Sequence, residues 1–141
     1  MNNPQTRAVH FFENLSLDSL SELPLIYADD AWFKDPFNEV KGVAEIRHIF
    51  AHMFVQVDGA RFVVTSQLAQ DQSAFLTWDF EFRMKRFSKA PQSIRGATHL
   101  HFNGAGLVTY HRDYWDAAEE LYEKLPLLGG LMRMLKRAAR K

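Results

Sequence analysis

The chain has 141 residues, 17 basic and 17 acidic side chains, and a formal net charge of zero. That length suits one domain with a real core, and the charge balance supplies no field to draw in nucleic acid or an anionic membrane. The absence of cysteine excludes disulfides, thiolate nucleophiles and zinc–cysteine sites.

Aromatic residues stand out. Twelve Phe, three Trp and four Tyr favour a broad apolar core or a greasy pocket. The opening "MNNPQTRAVHFFENL" lacks the basic segment and long apolar run of a secretory signal. No stretch reaches the length of a membrane span. A cytoplasmic protein is therefore expected, one domain over residues 1–141, with 126–141 as a basic helical tail.

In chain order, Pro4 stands at a helix first turn, and Val9, Phe12 and Leu15 recur at helical spacing. Asp18 is placed to cap a second short helix through Leu23, which Pro24 helps to end. "AWFKDP" reads as a short strand broken by Pro36. Gly42 precedes "VAEIRHIFAHMF", where Val43, Ile46, Ile49, Phe50, Met53 and Phe54 form one apolar stripe of an amphipathic helix.

The period then changes from 3.6 to 2. "ARFVVTSQLAQ" leads through a turn near Asp71 to "SAFLTWDFEFRMKRF". There Leu76, Trp78, Phe80, Phe82 and Met84 share one face. "QSIRGATHLHF" and "LVTYHRDYW" are two further strands joined by the hairpin signal "NGAG". "DAAEELYEKL" and "LMRMLKRAARK" read as terminal helices. Helices first and long consecutive strands after them define an α+β fold. Such a sheet, wrapped around helices, can enclose a ligand cavity.

Two stretches carry a resemblance. "YADDAWFKDPF" (27–37) and "GLVTYHRDYWD" (106–116) followed by "LPLLGG" resemble the cone superfamily shared by nuclear transport factor two, ketosteroid isomerase, SnoaL-like polyketide cyclases and limonene epoxide hydrolase. The resemblance implies a cystatin-like cone: N-terminal helices packed on a strongly curved antiparallel sheet, with an extra C-terminal helix. Asp35 matches the isomerase's general base and Asp113 the epoxide hydrolase's water-activating carboxylate. The isomerase's oxyanion hole uses a tyrosine and a protonated aspartic acid. Phe11 and Thr98 stand at those positions, and Phe50 replaces its supporting tyrosine. Trp78 and Phe80 fall where the hydrolase has an arginine and an acid; a one-residue slip offers Asp79 and Glu81, on the polar face. Neither parent mechanism carries over whole.

Alternation along the last strand sends His111, Asp113 and Trp115 one way and Tyr110, Arg112 and Tyr114 the other. With the resemblance making the first set the cavity face, Asp35 or Asp113 would take a proton or activate water while His111 donates one. Phe11, Phe33, Phe50, Trp78, Phe80, Thr98 and Trp115 would line the pocket. Two plainer readings compete. Asp35 precedes Pro36 and can bond its own turn, and a buried His111–Asp113 pair can simply satisfy itself.

His48 and His52 lie four apart on a helix but lack a third ligand, so no metal is expected. No cofactor is implied either. His99 and His101 alternate away from Thr98, toward the outer face through which a homodimer is expected. The functional expectation is a domain that binds a small hydrophobic molecule, with cofactor-free isomerase, cyclase or hydrolase chemistry. The alternative is a non-catalytic ligand-binding or assembly domain.

Overall fold

The computed structural model describes residues 3–85, 90–120 and 137–139. Helix α1 (Pro4–Glu13) starts where the Asn3 side chain accepts a hydrogen bond from Thr6 N, and it buries Ala8, Val9, Phe11 and Phe12. Beyond it, Ser16 and Ser19 exchange side-chain and backbone hydrogen bonds, and a 3₁₀ turn spans Asp18–Glu22. Asp18 makes no capping bond there. Nor does Pro24 end a helix: it lies in the first turn of α2 (Leu23–Ile26), where a missing N–H is no loss.

Strand β1 (Tyr27–Lys34) is longer than the expected "AWFKDP" and pairs antiparallel with β2 (Glu39–Lys41). Its first half is hard to read because Asp29 and Asp30 are both exposed between buried Ala28 and Ala31, which breaks the alternation. Gly42, at φ +102°, turns the chain into α3 (Val43–Gln56), and its N–H donates to Ala31 O. A positive φ of that size favours glycine. Helix α3 buries Ile46 and Phe50.

Strands β3 (Val57–Gln70), β4 (Ser73–Met84), β5 (Pro91–Phe102) and β6 (Val108–Tyr114) follow. The sheet order is β2-β1-β6-β5-β4-β3. It is not wholly antiparallel as expected. The last strand returns beside β1 and runs parallel to it, pairing Phe33 with His111. In the β5–β6 hairpin, Asn103 Oδ1 accepts from the N–H groups of Ala105 and Leu107. Arg7 of α1 donates to Gly106 O, which fastens the first helix to this turn.

Helices cover one face of this mixed, curled sheet, making an α+β cone. On β4 the expected alternation holds for Leu76, Trp78, Phe80 and Phe82, which are buried together with Ala74, while Met84 at the strand's end is half-buried against the core. The outer face carries a row of rings. Trp32 and His101 stack on Tyr110 from either side, and His99 meets His101 edge-on. Burial, then the neighbouring His101, lower the pKa of His99. At the end of the sheet, Asp116 Oδ1 accepts from Glu119 N and caps α4 (Ala117–Glu120). The expected basic helix over 126–141 lies outside the described residues apart from 137–139.

Candidate functional site

The parallel pairing of β1 with β6 places a polar chain inside the cone. Tyr27, at the start of β1, is fully buried, and its hydroxyl lies 2.7 Å from His111 Nδ1. His111 Nε2 lies 2.7 Å from Asp113 Oδ1. Directly across the β5–β6 ladder from Asp113, Thr98 donates its hydroxyl to the same oxygen at 2.6 Å. Trp78 Nε1 donates in turn to Thr98 Oγ1 at 2.8 Å.

The hydrogens in this chain can be counted. Burial, and then the charge of Asp113, push the Tyr27 phenol well above its ordinary pKa, so the phenol keeps its proton. Its one hydrogen-bond partner among the described residues is His111 Nδ1, so the O–H donates there and Nε2–H donates to Asp113. An Nδ1–H would leave the phenol proton without that acceptor. Both ring nitrogens are then engaged, Nδ1 as acceptor and Nε2 as donor, and Asp113 Oδ1 is the acceptor at the end of the chain.

Asp113 Oδ1 takes both donors, while Oδ2 has no hydrogen-bond partner among the described residues. No buried side-chain nitrogen or oxygen among them lacks a partner, so Oδ2 must be open to solvent. Asp113 lines a pocket with Phe12, Phe50, Phe62, Val64, Leu76, Trp78, Thr98 and His111. The space free of protein atoms is about 340 Å³, including the mouth that opens to solvent. The enclosed part is about 20 Å³, room for little more than a water molecule, so a larger occupant sits in the mouth or displaces side chains.

The expected site residues separate into groups. Asp113, His111, Thr98, Trp78 and Phe50 come together at the pocket. Phe33 lies beneath it, its ring 4.5 Å from that of His111. Phe11 is buried beside Phe12, and Phe12 is the one that reaches the pocket. Phe80 packs between Phe62 and Phe82, and Trp115 meets Phe37. None of Phe11, Phe33, Phe80 and Trp115 lines the pocket.

Asp35 is placed elsewhere. Its Oδ1 accepts from the backbone N–H groups of Phe37 and Asn38 and from the Asn38 amide, the turn bonding that an Asp–Pro pair permits. His111 has both ring nitrogens engaged, so it presents no free N–H to the cavity. Tyr27 was not foreseen, and neither were Phe62 and Val64 of β3. Alternation could have pointed to Phe62 and Val64, whereas Tyr27 sits at a helix–strand junction with no period to read. Among the described residues, no three His, Asp or Glu side chains are grouped to hold a metal ion, and no helix is long and apolar enough to cross a membrane.

A cone of this shape is the fold of the nuclear transport factor two and ketosteroid isomerase-like proteins. The family model of the SnoaL-like domain matches residues 8–111, and the chain belongs to that family. No curated protein matches it. Among solved structures, a hypothetical protein of Catenulispora acidiphila with a ketosteroid isomerase-like fold, in complex with trimethylamine, is similar. It has 17% identity and a TM-score of 0.73, over 87% of this chain and 93% of that one. A candidate SnoaL-like polyketide cyclase of Shewanella putrefaciens has 19% identity and a TM-score of 0.71, over 86% and 97%. A limonene epoxide hydrolase-like (LEH-like) epoxide hydrolase of M. tuberculosis has 17% identity and a TM-score of 0.69, over 95% and 96%. These likenesses establish the fold.

Proposed function

We propose that this protein is a cofactor-free acid/base enzyme acting on a small, largely apolar molecule, with Asp113 as the base. One observation carries the reading: the Asp113 carboxylate is pinned through Oδ1 by Thr98 and His111 and keeps Oδ2 open beside an aromatic pocket. A fixed carboxylate with one free oxygen can take a proton from a carbon acid or from water, the first step of isomerase, cyclase and epoxide-hydrolase chemistry alike. His111 acts through Asp113 as a positioning residue rather than as the acid. Thr98 and Trp78, whose hydrogens are already committed, offer an enolate no oxyanion hole, which favours activated water over enolisation.

The test is a thermal-shift screen of small apolar compounds, because a ligand that binds only the folded state raises its melting temperature. Hits are then assayed for turnover with wild type and Asp113→Asn. A loss of about 10²-fold or more in the variant is expected for a general base. Unchanged turnover in Asp113→Asn would remove the proposal.

A second reading, a non-catalytic binding domain, draws on a different observation. Every hydrogen-bond donor on the pocket wall is already satisfied within the protein, as a site that only binds would allow. A compound that stabilises the protein and is never turned over would favour it.

A further inference from the structure

The two edges of the sheet are protected unequally. At one edge, β2 is only Glu39–Lys41, short and charged at both ends, which discourages another strand from pairing with it. At the other edge, β3 runs over Val57–Gln70. Its residues 65–70 are all exposed and include neither a charge nor a proline. Leu68 is 73% exposed, beside its β4 partner Phe75 at 41%.

The register decides which backbone groups of this edge face outward. Gln70 pairs with Ser73 across a two-residue turn, with Asp71 at φ +55°. The closing pair of such a hairpin is hydrogen-bonded. Gln70, Leu68 and Ser66 therefore bond to β4, while Ala69 and Gln67 turn their N–H and C=O groups away from the sheet. Before the bulge the Val64 N–H also points away, and there Glu13 Oε2 of α1 accepts it. Among the described residues, nothing accepts the N–H groups of Gln67 and Ala69 in the same way.

This edge complements itself. In an antiparallel pairing about a two-fold axis at Leu68, Gln67 of one copy faces Ala69 of the other, and Ala69 faces Gln67. Each such pair can exchange both backbone bonds. The two Leu68 side chains meet between them on the outer face, where Phe75 packs on His99. Residues 62–70 carry no charge, so the pairing sets no like charges opposite each other there.

We infer that residues 65–70 of β3 are a self-association edge, through which two copies join their sheets antiparallel across Leu68. The inference is independent of the pocket and of any activity. One short strand contact buries less than the roughly 1,200 Å² at which standard interfaces begin. The dimer is therefore weak and forms only at high protein concentration.

Sedimentation velocity from micromolar to millimolar wild-type protein should show a monomer giving way to a dimer. Leu68→Lys replaces an exposed leucine and sets two like charges at the axis, so it should weaken association about tenfold or more. His101→Lys, on the ring row but away from the edge, should leave association unchanged. Amide exchange gives a second readout that needs no variant: the N–H groups of Gln67 and Ala69 should slow as wild-type concentration rises. A chain that stays monomeric at millimolar concentration overturns the inference and leaves the edge to an extended segment of another protein. A dimer that survives Leu68→Lys, or one lost in His101→Lys instead, also overturns it, the latter by placing the contact on the sheet face. If Leu68→Lys does not fold, exchange decides, and no slowing at Gln67 and Ala69 in a wild-type dimer sinks the idea.

Discussion

Tyr27 and His111, 84 residues apart in sequence, meet through a 2.7 Å hydrogen bond across the sheet's parallel strand pair. The bond fixes which imidazole nitrogen carries the hydrogen, and so which group Asp113 receives it from. Phe33 and Phe12 hold the same ring from its other sides. The carboxylate is thus positioned by a side chain that does not line the pocket.

Removing that hydroxyl is the direct test. Tyr27→Phe keeps the ring in the core and strips His111 Nδ1 of its partner. A buried acceptor left unpaired costs about 1–3 kcal/mol, so the urea midpoint should fall with the slope unchanged. With a substrate in hand, the variant should lower kcat more than it raises KM, since it disturbs the base rather than the apolar walls. A variant as stable as wild type would mean that the bond contributes nothing.

The same phenol makes stability depend on alkaline pH. Its folded pKa is raised, first by burial and then by Asp113, whereas in the unfolded chain a tyrosine ionises near pH 10. Above that pH the folded state binds more protons than the unfolded one. The contribution is therefore fully present below about pH 10 and lost as the pH rises further. Phenolate absorbance followed through an alkaline titration should show one phenol that ionises together with unfolding, and that phenol should be missing in Tyr27→Phe. Ionisation of Tyr27 in a still-folded protein would contradict its burial.

The legible parts of this site were those with a period. Alternation along "LTWDFEFRM" puts Trp78 inside, and along "YHRDYWD" it separates His111 and Asp113 from Tyr110 and Arg112. The structure keeps both divisions, with His111 buried and Tyr110 on the outer row. The alternation overextends at Trp115, which lies past the end of β6 and packs on Phe37. Tyr27 was hidden for a different reason. Its role depends on β1 lying parallel to β6, a pairing between the two ends of the described domain that no local pattern encodes. Asp35 shows the converse, since a residue matched by resemblance can be spent on its own turn.

Asp35→Asn provides a clean check on that last point. Asparagine retains an oxygen for the N–H groups of Phe37 and Asn38, so stability should change by less than about 1 kcal/mol, as for most substitutions that keep their bonds. Turnover of any substrate found should stay within about twofold, because Asp35 does not line the pocket. A loss comparable to that of Asp113→Asn would move Asp35 back into the chemistry.

Gly96 bears on the site through contact alone. It stands directly opposite Trp78 on the β4–β5 ladder and is not among the residues with positive φ, so backbone freedom is not its role. A methyl group there would lie 2.6 Å from Trp78 Cζ2 and 2.9 Å from Cζ3, closer than side chains approach. The indole can cross β5 and reach Thr98 Oγ1 only because residue 96 has no side chain. Gly96→Ala should therefore destabilise by about 1–3 kcal/mol, as overpacking does, even though alanine suits a strand no worse than glycine. It should also shift tryptophan fluorescence as the indole leaves Thr98. In a Trp78→Leu background the clash partner is gone, and the same Gly96→Ala change should cost much less. A coupling between the two positions, measured by a double-mutant cycle, separates this contact from any general intolerance of the strand. An equal cost in both backgrounds would show that Gly96 serves the sheet and not the indole.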